Sequence, residues 1–530
     1  MKRLKITVVD LVSNKPTSRL YSRLMNANFA AIMPQVVAVW CEQLGHDVRF
    51  ICYTGDEEFT PEILDDTDVL FVGAFTLSAQ LAYAISALFR RHGAVTVLGG
   101  PHARCYPEDA SLYFDYVLGL TDRSIVADVL ADGAPNRPVG RTLSAAAQPA
   151  ELPGVRERWS FIEATIAKAP FIKIVPMIGS TGCPYSCNFC IDSVFKYQTL
   201  GFDQMREDLS FLLRRLKRPR VAWHDPNFGV RFDDYLSTIE EAVPPGRMDF
   251  IAESSLSLLS EDHLKRLKKN SFMAMLPGVE SWQTHGNKSK SGSNVGMDKV
   301  RQVADHVNMI LRYIPYVQTN FVLGLDCDEG PEPFELTKTF LDLAPGAYPA
   351  FSMLTAYGEA APLNLDFQRQ GRVRPVPFHF LNSTRALNVQ PLHYAWPDFF
   401  SRMARLVGDA HSWPRIGRRF RATSGVHSRW FSALRASTSK KRKYYEGLTQ
   451  KLTPGSHLLR FFEGETRELP TFFTDKIRSD LGPLWEALPE GAMVHDQLAY
   501  LKRHEASQRQ KVRTDVAIAT GKEGALAPAE

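Results

Sequence analysis

The sequence predicts an α/β protein with an N-terminal Rossmann-like doubly wound sheet, a central (β/α)6-type partial barrel and a C-terminal mainly helical domain. Three observations support this prediction. The 530 residues are too many for one ordinary core. Apolar, β-branched runs alternate with helical segments up to about residue 130 and again from about residue 171, as in parallel sheets. After about residue 376 the strand-like runs stop.

The N-terminal domain is assigned to residues 1–132. Residues 4–12 predict a buried strand, and residues 33–44 predict a helix that ends at Gly45. The next strand-like runs are VRFICYT, VLFVGAF, AVTVLGG and FDYVLGL. Residues 133–165 are rich in Ala, Pro, Gly and Arg, and we expect them to be a linker.

The central barrel is assigned to residues 166–375. Six strand-like runs alternate with helical segments there: FIKIVPMIG, RVAWHD, MDFIAES, FMAMLPGVES, YVQTNFVLGL and FSMLTAY. Residues 376–503 predict the helical domain. Residues 504–530 are polar and rich in Ala and Gly, which predicts a disordered tail.

Composition excludes several classes of protein. A hydrophobic fraction of 44% excludes wholesale disorder, and the net charge of +5 gives no reason to expect nucleic acid as a partner. No apolar run is long enough to span a bilayer, and the N-terminus lacks a signal-peptide pattern. The odd count of seven cysteines suits a reducing compartment, so we expect a cytoplasmic protein.

Three of the cysteines lie within eight residues, directly after the first barrel strand. Cys183, Cys187 and Cys190 have the spacing C-x3-C-x2-C. Three thiolates can hold three irons of a cubane cluster and leave the fourth iron open. The alternatives are three unrelated thiols, or a zinc site that a distant His completes.

This spacing, with the aromatic Phe189 just before the third cysteine, resembles the signature of the radical S-adenosylmethionine (SAM) enzymes. The resemblance implies a [4Fe-4S] cluster bound by Cys183, Cys187 and Cys190, and SAM bound at its open iron. It also implies reductive cleavage of SAM to a 5′-deoxyadenosyl radical, and an external electron donor of the flavodoxin or ferredoxin type. The barrel would exclude water and orient the substrate C–H bond.

Later segments resemble the motifs that follow in the same family. They are His224–Phe228 after the second barrel strand, Pro277–Ser281 after the fourth, Asn320–Asp326 on the fifth and Thr355–Gly358 on the sixth. The resemblance implies that SAM contacts come from Asp225, Asn227, Glu280, Ser281 and Gly324. His224 and the shortened Thr355–Gly358 segment depart from the family pattern.

The N-terminal domain resembles the cobalamin-binding domain that precedes many of these barrels. Gly99 and Gly100 end a strand where a large ligand could approach the backbone. The D-x-H-x-x-G motif that supplies an axial His is absent, and Gly119-Leu120 replaces the usual Gly-Glu pair. Two alternatives therefore remain open: the domain binds cobalamin without an axial protein ligand, or it only covers the substrate.

Residues 402–443 hold twelve Lys and Arg side chains against Asp409 alone, a local charge of +11. This segment has two interpretations. It could bind an anionic or lipid-linked substrate or contact a membrane surface, or it could be a solvated helical face whose charge acidic neighbours balance. Three residues near the expected mouth of the barrel are candidate catalytic groups: His224, Cys327 and Tyr357. The alternative for Cys327 is a cysteine without a catalytic role.

We therefore expect an enzyme that cleaves SAM at a [4Fe-4S] cluster and abstracts hydrogen from a small-molecule substrate. Dehydration, cyclisation or rearrangement would follow. One alternative is a cobalamin-dependent radical SAM C-methyltransferase. Another, from a different class, is a non-catalytic iron–sulfur protein with a redox or assembly role.

Overall fold

A computed structural model describes residues 2–15, 30–169, 171–283 and 294–519, with side chains described up to residue 509. The first sheet has six strands: β1 (Lys5–Leu11), β2 (Asp47–Tyr53), β3 (Val69–Gly73), β4 (Val95–Gly99), β5 (Tyr116–Leu118) and β6 (Arg141–Leu143). All pair in parallel in the order β2-β1-β3-β4-β5-β6, which confirms the predicted Rossmann-like sheet.

Helices lie between these strands because each parallel crossover must return the chain to the same end of the sheet. They are Ile32–Gln43, Pro61–Asp65, Ala79–Arg91, Pro101–Cys105, Pro107–Ala110 and Arg123–Asp132. The segment predicted to be a linker, 133–165, is not wholly irregular: it contributes β6 and the start of the helix Trp159–Lys168. Its Pro- and Gly-rich composition concealed a three-residue strand at the sheet edge.

The second sheet forms the partial barrel. Its strands are β7 (Ile174–Met177), β10 (Arg220–Trp223), β11 (Asp249–Ala252), β12 (Phe272–Met275), β13 (Gly278–Glu280), β14 (Tyr316–Leu323) and β15 (Tyr348–Met353). The strands pair in parallel in the chain order β7-β10-β11-β12-β14-β15, and the short β13 also pairs with β14. This order confirms the predicted (β/α)6 arrangement.

Five helices cover the convex face of the barrel: Phe202–Arg215, Phe232–Ala242, Glu261–Lys269, Gly296–Tyr313 and Glu332–Leu343. On β14, Val317, Phe321 and Leu323 are buried in the core shared with these helices, whereas Asn320 and Val322 alternate with them and remain partly exposed. Because neighbouring side chains of a strand point to opposite faces, the partly exposed side chains of β14 line the concave face. Other accessible side chains at concave positions are His224, Ile251, Glu253, Leu276, Ala350 and Ser352.

The C-terminal region is helical, as predicted. Its helices are Leu363–Arg369, Trp396–Ala410, Trp413–Ala422, Val426–Ser437, Lys441–Lys451, His457–Glu463, Thr471–Leu481 and Ala499–Ala519. The last helix differs from the prediction of a disordered tail from residue 504, whereas residues 520–530 lie outside the described residues. We call Trp413–Ala422 and Val426–Ser437 the floor hairpin. No described helix combines the length and apolar character that crossing a bilayer requires.

The three domains contact one another around the carboxyl ends of both sheets. Tyr106, after the helix Pro101–Cys105, donates a hydrogen bond to the carbonyl oxygen of Ala356, beyond β15, at 3.1 Å. A Cβ atom at Gly358 would overlap the carbonyl oxygen of Cys105. The edge of the first sheet therefore lies directly against the loop that follows the sixth barrel strand.

This close approach makes Gly358 essential to the domain contact. Gly358 has φ of +48° and Gly371 has φ of +67°, but a Cβ atom at Gly371 would meet nothing within 4 Å. Alanine should cost about 1 kcal/mol of backbone strain at either site. Gly358→Ala should cost about 1–3 kcal/mol more through overlap and so lower the melting temperature further. Equal melting temperatures of the two variants would contradict the contact.

Candidate functional site

The three clustered cysteines lie in a loop with a structured base. Two short antiparallel strands, β8 (Ser180–Thr181) and β9 (Gln198–Thr199), pair and enclose residues 182–197, which we call the cysteine loop. Gly182 enters the loop with φ of +67°, and a Cβ atom there would overlap the backbone carbonyl of Lys196. Glycine at this position therefore allows the two ends of the loop to close.

A buried carboxylate fixes the entry to the cysteine loop. Asp225, only 2% exposed, follows β10 and accepts hydrogen bonds from the Gly179 amide at 3.0 Å and the Ser180 hydroxyl at 2.6 Å. The buried Tyr235 hydroxyl also donates to it. Burial raises the pKa of Asp225, and these hydrogen bonds oppose the rise. Asp225 thus ties the ends of the first two barrel strands together.

Each of the other domains also contacts the cysteine loop. Arg104, from the N-terminal domain, lies 3.6 Å from Asp192 and 4.9 Å from the ring centre of Phe195. Leu363, beyond the barrel, donates its amide to the Asn188 carbonyl oxygen at 2.9 Å. These contacts place the loop at the junction of the three domains.

The three cysteine thiols lie in one loop and two of them are buried. Cys183 and Cys187 are 8% and 9% exposed, Cys190 is partly exposed, and none of the three is in a disulfide. Within the described ranges, no group of three or more Cys, His, Asp or Glu side chains converges as ligands of one metal ion. A cubane uses one thiolate for each iron, so its ligands need not converge. The donor set fits a [4Fe-4S] cluster, and Phe189, which precedes Cys190 in the sequence, packs against the core.

His224 lines the concave face just before Asp225. Its side chain is accessible, yet surrounding protein lowers its pKa to about 4, with a smaller contribution from the charge of Arg158. Accessibility combined with desolvation indicates a cleft rather than open solvent. The imidazole is therefore neutral near pH 7.

The predicted SAM contacts Asn227 and Glu280 lie at the ends of barrel strands. Asn227 is buried and bridges to Ser255, accepting from its amide at 2.9 Å and donating to its hydroxyl at 3.3 Å. Glu280 is a non-glycine residue with φ of +64°, and its carboxylate folds back over Gly278, where a Cβ atom would overlap it. Strained backbone of this kind is often found at functional sites.

Glu280 belongs to a small polar group at the end of β13. The Ser281 hydroxyl lies 3.8 Å from the thiol of Cys327. Cys327 is exposed and is one of the three candidate catalytic residues. Lys299 is buried and donates to the Gln283 carbonyl oxygen at 2.9 Å. Burial lowers the pKa of Lys299, while the charges of Cys327 and Glu280 oppose that change.

Gly324 and Tyr357 lie beyond the fifth and sixth barrel strands. The Gly324 amide donates to the Asp328 carboxylate at 2.9 Å, and burial raises the pKa of Asp328 to about 6. Gly324 has φ of +83°, and a Cβ atom there would lie 3.0 Å from the Phe399 ring. Tyr357 is partly buried, and burial raises its pKa to about 12, so its hydroxyl stays protonated.

The glycine edge of the N-terminal sheet is open. Gly99 is partly exposed, and a Cβ atom there would meet none of the described residues within 4 Å. Gly100 has φ of +94°, and a Cβ atom there would lie 2.9 Å from the Ala74 carbonyl oxygen. This geometry fits close approach of a large ligand such as cobalamin to the backbone.

His102 follows this edge and is fully buried. Its Nε2 atom lies 2.6 Å from the Tyr83 hydroxyl, which also donates to Asp109 at 2.6 Å. Burial lowers the pKa of His102 to about 3, and its Nδ1 atom has no hydrogen-bond partner within the described structure. The His102 ring therefore packs in the interior of the domain, directly behind the glycine edge.

Sequence reasoning missed several side chains of the concave face. Glu253, Gln318 and Ser352 were not among the candidates, although each is a polar residue within or directly after a strand-like run. Tyr235 was missed because only the tertiary structure brings it to Asp225. The alternation of polar and apolar residues along β14 was the available signal for Gln318 and Asn320.

The role of Asp225 can be tested with paired variants. Asp225→Ala leaves the Gly179 amide, the Ser180 hydroxyl and the Tyr235 hydroxyl without their acceptor. Each unsatisfied buried group should lower the free energy of unfolding by about 1–3 kcal/mol. Tyr235→Phe removes only one donor. Hydrogen exchange at residues 179–181 should therefore be much faster in Asp225→Ala than in Tyr235→Phe. Equal exchange in the two variants would contradict the anchoring role.

Two curated proteins of Chlorobaculum tepidum are similar in sequence. Bacteriochlorophyllide d C-12(1)-methyltransferase is 23% identical over 320 residues, 59% of this chain and 68% of that protein. Bacteriochlorophyllide d C-8(2)-methyltransferase is 32% identical over 148 residues, 26% of this chain and 32% of that protein. The chain thus spans less than half the length of the second relative. No family model matches the chain.

Solved structures share the architecture. The radical SAM methyltransferase TsrM from Kitasatospora setae, with cobalamin and a [4Fe-4S] cluster bound, has a TM-score of 0.55 at 13% identity, covering 90% of this chain and 99% of that one. The cobalamin-dependent radical SAM enzyme OxsB, with aqua-cobalamin and SAM bound, has a TM-score of 0.53 at 12% identity, covering 96% and 81%. The present chain has the fold of the cobalamin-dependent radical SAM enzymes.

Proposed function

We propose that the chain is a radical SAM enzyme that uses cobalamin to methylate a carbon atom of a small-molecule substrate. The observation that carries the proposal is the contact between the cysteine loop and the glycine-edge domain through Arg104. The sites for cluster, SAM and corrin would thus border one chamber. Both curated relatives are named as methyltransferases, which supports an enzyme and the transfer of a methyl group.

In this proposal the chain itself positions and encloses the reactants. Cys183, Cys187 and Cys190 would hold the cluster, with Phe189 packed beside them. Gly99 and Gly100 would accept the corrin. When bound, the cluster and SAM supply radical chemistry and cobalamin supplies a methyl carrier.

The concave face would bind SAM and the substrate. Glu280 and Asn320 present polar atoms near the mouth, and Asp225 and Asn227 fix the loops around them. The neutral imidazole of His224 can accept a proton at its unprotonated ring nitrogen. An external one-electron donor of the flavodoxin or ferredoxin type would reduce the cluster.

A second candidate function is hydrogen abstraction without cobalamin, leading to dehydration, cyclisation or rearrangement. The specific observation that favours it is the close contact between Cys105 and Gly358, which leaves no space between the two domains at that point. The absent axial-His motif also favours it. A non-catalytic iron–sulfur role has less support, because the two curated relatives are enzymes.

Titration of the anaerobically purified full-length protein with hydroxocobalamin separates the two candidates. Methyl transfer requires a shifted corrinoid spectrum and co-elution of the corrin with the protein. Gly99→Leu should fold, because space surrounds Gly99, but should weaken cobalamin binding at least about tenfold by obstructing the edge. Gly201→Leu, at an exposed barrel glycine, serves as the control.

The opposite result would overturn the methyl-transfer proposal. An unchanged corrinoid spectrum with the wild-type protein, and no co-elution, would leave hydrogen abstraction without cobalamin as the function. Equal cobalamin binding by the Gly99→Leu and Gly201→Leu variants would exclude the glycine edge as the binding site.

A further inference from the structure

The floor hairpin closes the concave face at the amino ends of the barrel strands. Its residues Ile416 and Ala436 pack with Ala274, Tyr316 and Tyr348 in an apolar cluster separate from the main core. Tyr316 and Tyr348 are the first residues of β14 and β15. The barrel therefore has a floor opposite the mouth at which the cysteine loop lies.

One arginine of the hairpin reaches into this floor. Arg435 donates hydrogen bonds to the Tyr316 hydroxyl at 2.8 Å and to the Gln318 side-chain oxygen at 2.5 Å. Its guanidinium carbon lies 4.4 Å from the ring centre of Tyr348. Gln318 in turn donates to the Asn320 side chain at 2.8 Å, so polar groups continue along β14 towards the mouth.

A second arginine is buried beneath the same tyrosine. Arg419 is 3% exposed, and its Nε and Nη2 atoms donate to the carbonyl oxygens of Ala347 and Ala410, each at 3.0 Å. Its Nη1 atom is buried and makes no hydrogen bond within the described structure. The guanidinium carbon lies 5.4 Å from the centre of the Tyr348 ring.

Neighbouring arginines of the same helix are neutralised. Arg415 lies 2.9 Å from Asp342 and 2.6 Å from Asp409, and Arg418 lies 2.7 Å from Asp342. Acidic neighbours thus balance part of the basic segment, as one of the two interpretations of its charge predicted. Within the described part of the chain, Arg419 forms no such ion pair.

Two further basic side chains adjoin the arginines. Burial lowers the pKa of Lys441 to about 8, and the charge of Arg435 adds to the effect. The His411 ring lies 6.0 Å from the Tyr348 ring, and both its nitrogens are buried without partners in the described structure. Burial lowers the pKa of His411 to about 4, and the charges of Arg419, Lys441 and Arg435 add to the effect.

Arg419 is a buried cation without a carboxylate partner among the described residues, and this is costly because removing a charge from water must be offset by a nearby opposite charge. Arginine forks and lysine ammonium groups are common partners of carboxylates and phosphates. The hydrogen-bond donor left over at Arg419 Nη1 matches the acceptor-only oxygens of such groups, and Lys441 adds a second positive charge close enough to interact with Arg435.

We propose that this floor, formed by Arg419, Arg435, Lys441 and His411 around Tyr348, binds the carboxylate or phosphate group of the substrate. The inference rests on the proposed function, because it takes the concave face as the substrate site. Anchored at the floor, an elongated substrate would extend along Gln318 and Asn320 towards the mouth. Its reacting carbon would then be distant from its anionic group.

A matched pair of variants on one helix tests the proposal. Lys441→Gln and Lys443→Gln remove the same charge, but Lys443 is exposed to solvent whereas Lys441 is partly buried. Binding of inorganic phosphate and of acetate to the full-length protein would be measured by calorimetry at constant ionic strength. We expect Lys441→Gln to weaken binding about tenfold, and Lys443→Gln to leave it unchanged.

Vesicles of phosphatidylglycerol and phosphatidylcholine distinguish a lipid headgroup from a soluble anion. Equal phosphate affinity of the two variants, or no binding by the wild-type protein, would overturn the proposal. A further outcome is that Lys441→Gln loses binding to the vesicles yet keeps the wild-type affinity for phosphate and acetate. That result would also overturn the proposal, because the floor would then be a membrane-binding surface. None of these measurements requires SAM cleavage, so failure of the anion site and failure of the proposed enzyme activity are distinguishable.

Discussion

The buried carboxylate of Asp225 is the constraint on which the candidate site depends. It accepts from the Gly179 amide and the Ser180 hydroxyl, and so joins the ends of β7 and β10 at the base of the cysteine loop. Three short thiol side chains can hold one cluster only if their backbone is fixed. A buried polar network that satisfies every donor provides that rigidity, because breaking it exposes unpaired groups.

The remaining parts of the site follow from the parallel topology. Parallel strands place all their carboxyl ends at one mouth, so the cysteine loop, Glu280 and Gly324 lie at the same end of the barrel although they are far apart in sequence. The first sheet presents its own carboxyl edge to the same region through Arg104 and Tyr106. The floor hairpin packs against the opposite end of the barrel strands, so the proposed cofactor sites and the proposed anion site lie at opposite ends of the barrel.

Most strands of both sheets could be predicted because they are mainly apolar runs between helical segments. The strand β6, the ribbon of β8 and β9, and the helix Ala499–Ala519 could not, because short or polar segments carry little periodic signal. The prediction that Cys183, Cys187 and Cys190 bind a cluster rests on local spacing alone. The floor could not be predicted: Arg419 and Arg435 meet Tyr348 only through tertiary packing, and local charge counts cannot separate them from Arg415, which Asp342 neutralises.

The central claim is that the cysteine loop holds a cluster that cleaves SAM. Anaerobically reconstituted protein, incubated with SAM and dithionite, should release 5′-deoxyadenosine. Cys183→Ser should abolish the product, and Cys41→Ala, which alters a cysteine of the N-terminal helix Ile32–Gln43, should retain it. Failure of the reconstituted wild-type protein to form 5′-deoxyadenosine, or undiminished formation by Cys183→Ser, would contradict the account.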